Sequence, residues 1–451
     1  VSAIKTIIHL ETDLHPIPVT TTEPEKRVER TKQLFEKMRN QCRSVVMAME
    51  NCTKCGRCAK ECHVYLGTGD PDNIPTARAD LMRAVYKKYF TAGGKLLGSF
   101  VGARELDDEL LEKWVNYFYQ CNECRRCAVF CPLGIDTAEV TIMARQILVY
   151  LGLIPKFHMS IAKQVDKTGN NMGIPKGACI DSCEFIEDEI REETGVDVKI
   201  PVDQKAEILY VPSSADFFTN FDTMVGAAKF FHAIGANWTI SSEILEAGNF
   251  GLFFDHDFTM KSHNNRLVRV AKKLGVKKVV QGECGHGWRA ARMYTPSLSG
   301  PVPFEITHII EEAAAAIQRG QLKLDPSKND DKIVTLHDPC NAVRSSNLME
   351  EPRIVLRACV NNFVEMYPNR EKNFCCGSGG GILMEEMIEW RKKVTQVKRD
   401  QVRATGANYL CAPCSICKAQ FPVAFEGYEK EVPGFKIGGL MDLVGYALVL
   451  E

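Results

Sequence analysis

Long uncharged apolar runs are missing from this 451-residue sequence. A membrane-spanning helix needs about 18 or more consecutive apolar residues. The longest stretches here, 438–450 (broken by Asp442) and 96–103, fall short of that. An excess of either charge is missing as well: 56 basic side chains face 57 acidic ones, for a formal net charge of -1. That balance gives no reason to expect nucleic acid or a polyanionic surface as the partner. The opening residues, VSAIKTIIHLETDLHP, lack the basic, apolar, small-residue order of a secretory signal. They begin with Val rather than Met, so the N-terminus reads as trimmed or truncated. What remains is an ordinary globular composition, 45% hydrophobic and 25% charged, long enough for about three domains.

Cysteine is the residue in excess, with 19 in the chain. A secreted disulfide scaffold is usually short and even in cysteine number, and this chain is neither. Most of its cysteines recur at x2 and x3 spacing, which reads as metal ligation.

The chain divides by pattern into four parts. Residues 1–45 are polar and proline-containing, helix-like at 25–39, and read as an N-terminal arm. Residues 46–165 form a cysteine-rich, mostly helical unit. Leu110, Leu111, Trp114, Tyr117 and Phe118 share one helical face there, and Val140, Met143, Ala144 and Ile147 share another. Residues 177–330 and 331–451 then read as two related α/β halves. Strands are expected at 208–211, 277–280, 333–336 and 408–410, and helices at 223–234, 267–274, 353–366 and 385–403. The parallel runs KKLGVKKVVQGEC and VRATGANYLCAPC point to an internal duplication.

Two tetrads carry the first chemistry. Cys52, Cys55, Cys58 and Cys62 lie in CTKCGRCAKEC, and Cys121, Cys124, Cys127 and Cys131 in CNECRRCAVFCP. Both have the C-x2-C-x2-C-x3-C spacing that binds [4Fe–4S] cubes in two-cluster ferredoxins, where the fourth cysteine of each run serves the other cluster. Cys52, Cys55, Cys58 and Cys131 are therefore expected to hold one cube, and Cys121, Cys124, Cys127 and Cys62 the other. Structural zinc prefers two separated pairs, often with His, and suits this pattern poorly. His63 stands where a proline is usual and reads as a cluster neighbour. The 58 residues between Cys62 and Cys121 look helical, and the unit resembles the α-helical ferredoxins of respiratory iron–sulfur subunits.

Farther on, Cys340 lies in HDPCN, Cys375 and Cys376 in FCCGSGGG, and Cys411 and Cys414 in CAPC. Five thiolates exceed the four a single cube needs, and adjacent cysteines diverge too much to cap two irons of one ordinary cube. The set implies an open or bridged cluster. Gly377, Gly379, Gly380 and Gly381 would let backbone approach it closely; the loop lacks the Lys-Ser/Thr of a P-loop.

This cysteine set resembles the CCG motif of heterodisulfide reductase catalytic subunits (HdrD-like), and the layout over roughly 46–451 is similar to theirs. Around GECGHGWR (282–289) the sequence is most similar to DsrK of the Dsr membrane redox complex, with TmcB-like subunits close. The resemblance implies a noncubane [4Fe–4S] cluster on Cys340, Cys375, Cys376, Cys411 and Cys414 that cleaves a disulfide. It implies electrons from a quinol through a haem b membrane subunit (DsrM-like), and a DsrC-like protein disulfide or trisulfide as substrate. It also implies a peripheral place on the cytoplasmic face of the membrane among other subunits. The same layout serves electron-transfer subunits of glycolate, lactate and glycerol-3-phosphate dehydrogenases. The first half departs from the motif. It reads YVPSSADF where a first cysteine is expected and GNFGLFFD at the CC position, and of the CxxC it keeps only Cys284, with Gln281 opposite Cys411. One noncubane site is therefore expected. Cys42 and Cys359 read as small buried hydrophobes, and Cys417 as a site lining. Cys179 and Cys183 stay open between a site-adjacent and a plain packing role. His286, His337 and Trp288 are expected near the cluster loops.

Overall fold

The computed structural model describes residues 6–19 and 21–450. It divides into two compact units: one comprises residues 1–160, 252–258 and 377–397, the other 161–251, 259–376 and 398–451. No helix among the described residues is long and apolar enough to cross a membrane.

The first unit is helical. Asp107 accepts from Leu110 N to start Asp108–Phe118, and Asp136 accepts from Ala138 N to start Thr137–Tyr150. Such caps satisfy backbone donors that a helix cannot pair internally. These helices bury Leu110, Leu111, Trp114 and Phe118 of one expected face with Val140, Met143, Ala144 and Ile147 of the other; Val115 is buried beside them, and Tyr117 of the expected face is only half-buried. The expected arm is folded into the same core, because helix Arg27–Gln41 contributes Leu34, Phe35 and Met38. Residues 1–5 and Thr20 of that segment lie outside the described residues.

The second unit holds two four-stranded parallel sheets. Strands β1 (Ile208–Val211), β2 (Trp238–Thr239), β3 (Lys278–Gln281) and β4 (Glu305–His308) line up as β2-β1-β3-β4. Strands β5 (Val334–Leu336), β6 (Phe363–Val364), β7 (Tyr409–Cys411) and β8 (Lys436–Gly438) repeat that order as β6-β5-β7-β8. The expected helix over 353–366 is shorter than its sequence pattern. It ends at Cys359, and Phe363–Val364 become the edge strand, paired with Val334 and Thr335. A β-branched and an aromatic residue suit that pleated edge better than another helical turn.

The two sheet layers of this unit meet through a close helix crossing and a buried charge network. Gly226 of helix Phe221–Ala233 lies so near the Met441 carbonyl of helix Leu440–Ala447 that a Cβ there has no room. Beside the crossing, Lys418 Nζ donates to Thr223 Oγ1 at 2.6 Å and lies 3.3 Å from Glu283 Oε2 and 3.4 Å from Asp216 Oδ1. Thr223 in turn donates to Asp442 Oδ1 at 2.6 Å. Removing one member of a buried ionic set strands the others without water or countercharge, a loss of about 3–5 kcal/mol. Lys418→Met is expected to lower unfolding free energy by about that much, as read by chemical denaturation of the second unit's transition; a change under about 1 kcal/mol would show the carboxylates to be neutralised some other way.

Candidate iron–sulfur sites

Both tetrad loops curl in the same way. Lys54 and Gly56 in the first, and Glu123 and Arg125 in the second, take left-handed backbone at matching positions, with φ of 55°, 74°, 50° and 61°. Non-glycine residues hold that conformation only where their surroundings impose it. For the second loop the imposing group is Arg145, which is fully buried. It pairs with Glu123 at 2.9 Å and donates to the carbonyls of Phe118 and Cys121, both at 2.8 Å, and of Gly380 at 2.7 Å.

Two cavities result. The first is lined by Cys52, Cys55, Cys58 and Cys131, with Thr76, Pro132 and Ile135. The second is lined by Cys62, Cys121, Cys124 and Cys127, with His63 and Asn122; Cys127 also borders the first. The fourth cysteine of each run thus lines the other run's cavity. Burial pushes the Cys62 thiol up to about 11 and Cys127 well above its ordinary value. Such thiols stay protonated until a metal displaces the proton. An all-thiol donor set in a small cavity fits a [4Fe–4S] cube. His63 Nε2 lies 2.7 Å from Asn122 Oδ1 and its Nδ1 is 4.0 Å from Cys124 Sγ, the place of a cluster neighbour.

Two of the glycines after the CC pair pack against the second tetrad loop. Gly379 and Gly380 press against the backbone of Asn122 and Cys121, where a Cβ would collide with carbonyl oxygens. Asn122 Nδ2 also donates to Gly377 O at 2.9 Å and Gly379 O at 3.1 Å. Within the first unit, therefore, this loop braces a cube loop.

The third site lies in the second unit, at the C-terminal ends of β5 and β7, where parallel sheets place their ligands. Cys340 opens helix Cys340–Ser346 just after β5, and Cys414 precedes helix Ser415–Ala424 just after β7. Cys340 Sγ is 4.0 Å from Cys375 Sγ. Cys417, expected only as a lining, is in hydrogen-bonding contact with both Cys376 and Cys414. One ligand atom each of His337, Cys376 and Cys417 lie within 4.8 Å of one another. The Cys414 thiol is held well below its ordinary value by the Cys417 S–H and by His286.

Cys411, expected as a ligand, faces elsewhere. Side chains two apart on a strand share a face, and Tyr409 Oη on that face lies 3.5 Å from Asp442 Oδ2. The groups acting on the Cys411 thiol are Glu283, Asp442, Lys418 and Cys359. Cys411 sits in the apolar core with Cys359. The convergent set is Cys340, Cys375, Cys376, Cys414 and Cys417, all buried. The signal was present in CAPCSIC, which contains the x2 spacing twice. Five soft donors, two of them adjacent, fit an iron–sulfur group other than a simple cube.

In the first half, the corresponding positions hold a polar network. Ser214, Asn249, Gln281 and Cys284 are each 1% exposed. Glu246 accepts from Ser214 N at 3.1 Å, from Ser214 Oγ, and from Asn171 N at 2.9 Å. Gln281 Nε2 donates to Val211 O at 2.9 Å, closing the place opposite Cys411. Cys284 is the thiol that remains. Cys179 and Cys183, both free thiols, are hydrogen-bonded to each other on helix Lys176–Thr194.

A family model for a 4Fe-4S dicluster domain matches residues 48–135, and one for a cysteine-rich domain named CCG matches residues 334–422. The Hdr-like menaquinol oxidoreductase iron-sulfur subunit 2 of Archaeoglobus fulgidus is 36% identical over 98% of this chain and 86% of its own length. The chain belongs to the heterodisulfide reductase-like iron–sulfur subunit family. Its Archaeoglobus profundus relative, the Hdr-like menaquinol oxidoreductase iron-sulfur subunit, is 37% identical over 95% of this chain and 84% of its own length. One subunit of the dihydromethanophenazine:CoB–CoM heterodisulfide reductase of Methanosarcina mazei is 26% identical over 90% of this chain and 95% of its own length. In this HdrD-like chain the cysteine-rich match begins at β5 and ends beyond Cys417, so it spans the whole thiol set.

Two outcomes are expected. Cys417→Ser should lose the third site's iron while Cys411→Ser keeps it, as counted by iron per chain after anaerobic reconstitution; the reverse result would restore Cys411 as the ligand. Burial raises the Glu246 carboxyl to about 7 from its ordinary 4.5. Between those values the unfolded chain has released the proton that the folded chain retains. Stability therefore falls as pH rises from about 4.5 to about 7, by on the order of 3 kcal/mol, and levels off above. Glu246→Gln should flatten that slope in denaturation curves taken from pH 4 to 8, and an unchanged slope would assign it to other groups.

Proposed function

We propose that this chain is the disulfide-cleaving iron–sulfur subunit of a quinol-linked membrane complex. The observation that carries the reading is the convergence of Cys340, Cys375, Cys376, Cys414 and Cys417 at one strand edge. The first half of the duplicated α/β pair keeps only Cys284 there. A chain built only to conduct electrons has no need of a third thiol set of this kind. Cys52, Cys55, Cys58 and Cys131 hold one [4Fe–4S] cube, and Cys62, Cys121, Cys124 and Cys127 the other. The third set holds a noncubane [4Fe–4S] group.

Cubes pass one electron at a time, whereas cleaving an S–S bond takes two electrons and two protons and yields two thiols. The iron–sulfur groups, when bound, supply those electrons and a metal site for sulfur. The protein's own residues bury the site from water and orient its thiols. Asn341 Nδ2 lies 3.7 Å from Cys340 Sγ, and His286 bonds to Cys414. Arg145 and Asn122 hold the second cube's loop against the backbone of residues 377–380.

The relatives' names carry menaquinol and a heterodisulfide, which supports a role for this chain between a quinol and a disulfide. The electron source is a haem b membrane subunit of the DsrM kind, which also brings the chain to the cytoplasmic face. The substrate is a DsrC-like protein disulfide or trisulfide. EPR of the anaerobically purified chain, oxidised with and without added thiol, tests the proposal. A thiol-dependent paramagnetic state that disappears in Cys375→Ser is the expected result. Signals from two cubes alone would instead mark an electron-transfer subunit of a flavin-type dehydrogenase.

A further inference from the structure

His337 continues β5 at the rim of the thiol set, its N–H giving the Cys411 carbonyl a bond of 2.8 Å. The side chain is fully buried. Its ring meets Phe421 edge-on with centroids 5.0 Å apart, so the plane of the imidazole is set by packing. A ring nitrogen lies within 4.8 Å of both Cys376 Sγ and Cys417 Sγ. Nδ1 is 3.4 Å from Asn373 Nδ2, while Nε2 has no hydrogen-bond partner among the described residues.

Which nitrogen carries the proton follows from the groups behind Asn373. Lys398 Nζ donates to Asn373 Oδ1 and also lies 3.2 Å from Met366 Sδ. Burial draws Lys398 down to about 7, but ammonium and amine alike keep an N–H for that bond. With its oxygen taken by Lys398, the Asn373 amide turns its NH2 the other way. One hydrogen goes to Asp338 O at 2.8 Å and the second to His337 Nδ1. Asp338 is itself held by a buried pairing with Arg353 at 2.9 Å. A neutral imidazole that accepts at Nδ1 carries its hydrogen on Nε2.

We propose that Lys398 and Asn373 lock His337 as the Nε2–H tautomer, making it the built-in hydrogen-bond donor to sulfur at the third site. The assignment rests on the proposed function, since it needs an iron–sulfur group there. It makes Asn373 and Lys398 positioning residues, which act through His337. The N–H of His337 stabilises negative charge on sulfur, the charge that grows when the site is reduced or when an S–S bond opens. The sequence places His337 near the cluster loops, three residues before Cys340, but does not give it a tautomer or a task. Both emerge from a lysine on helix Ile388–Arg403 acting through an asparagine three residues before the second CC cysteine.

The test is a redox titration of the third site's EPR signal in the full chain, with iron content measured on each sample. His337→Phe removes the donor. His337→Gln keeps an N–H. Asn373→Asp accepts from Nδ1 and so turns the lone pair of Nε2 toward the sulfurs. Hydrogen bonds to sulfur favour the reduced, more negative state. His337→Phe and Asn373→Asp should therefore weaken one-electron reduction about tenfold, a lower potential by ~59 mV, at unchanged iron content. His337→Gln should stay near the parent value. Equal potentials in Phe and Gln variants, or no shift in any of the three, overturns the assignment while leaving the third site standing. A parent chain with no third signal overturns both the assignment and the function on which it rests.

Discussion

A single ammonium group, Lys418 Nζ, stands among Asp216, Glu283 and the Thr223–Asp442 pair with almost no water. The three carboxylates come from elements of both sheet layers, and none is affordable inside the protein without a cation. The lysine follows Cys417 directly, and Glu283 precedes Cys284 directly. Satisfying that charge therefore fixes the helix bearing Cys417 against the loop bearing Cys284. Two backbone N–H groups, Leu440 and Met441, complete the binding of Glu283 at 2.8 and 2.7 Å.

The two halves of the second unit answer the same geometric problem with different chemistry. Parallel strands with the same order bring four loops to one edge in each. In the second half those loops carry soft thiols, a donor type that suits iron. In the first they carry Ser214, Asn249 and Gln281, and Glu246 satisfies Ser214 through hydrogen bonds. A site that loses its thiols cannot stay empty and polar, because unpaired buried groups are costly. The carboxyl at its centre is the visible consequence.

Much of the first unit was legible because cube ligands are local. Six of the eight tetrad cysteines sit within two short loops at x2 spacing, and only Cys62 and Cys131 must reach across. The Asp-capped helices likewise follow from spacing and cap residues that lie next to each other in the chain. Local pattern misled where a long-range partner decided the outcome. The helical pattern over 353–366 stops at Cys359 because β5 recruits Phe363 and Val364. Residues 25–39, part of the expected arm, are largely helical, yet their apolar face is claimed by the core.

The sequence by itself determined the kind of chemistry: soft thiols in two regular tetrads and a third, irregular set, on helical and α/β supports. It also determined that the first half had lost its ligands. Which thiol completes the third set was decided by tertiary structure alone. CAPCSIC offers x2 pairs on either side of Cys414, and the alternation of β7 turns Cys411 into the core with Tyr409. The turn into helix Ser415–Ala424 brings Cys417 to Cys376 and Cys414 instead. The physical reason is that spacing along a chain sets only which residues are neighbours. The side of a strand on which each neighbour emerges depends on the sheet it joins.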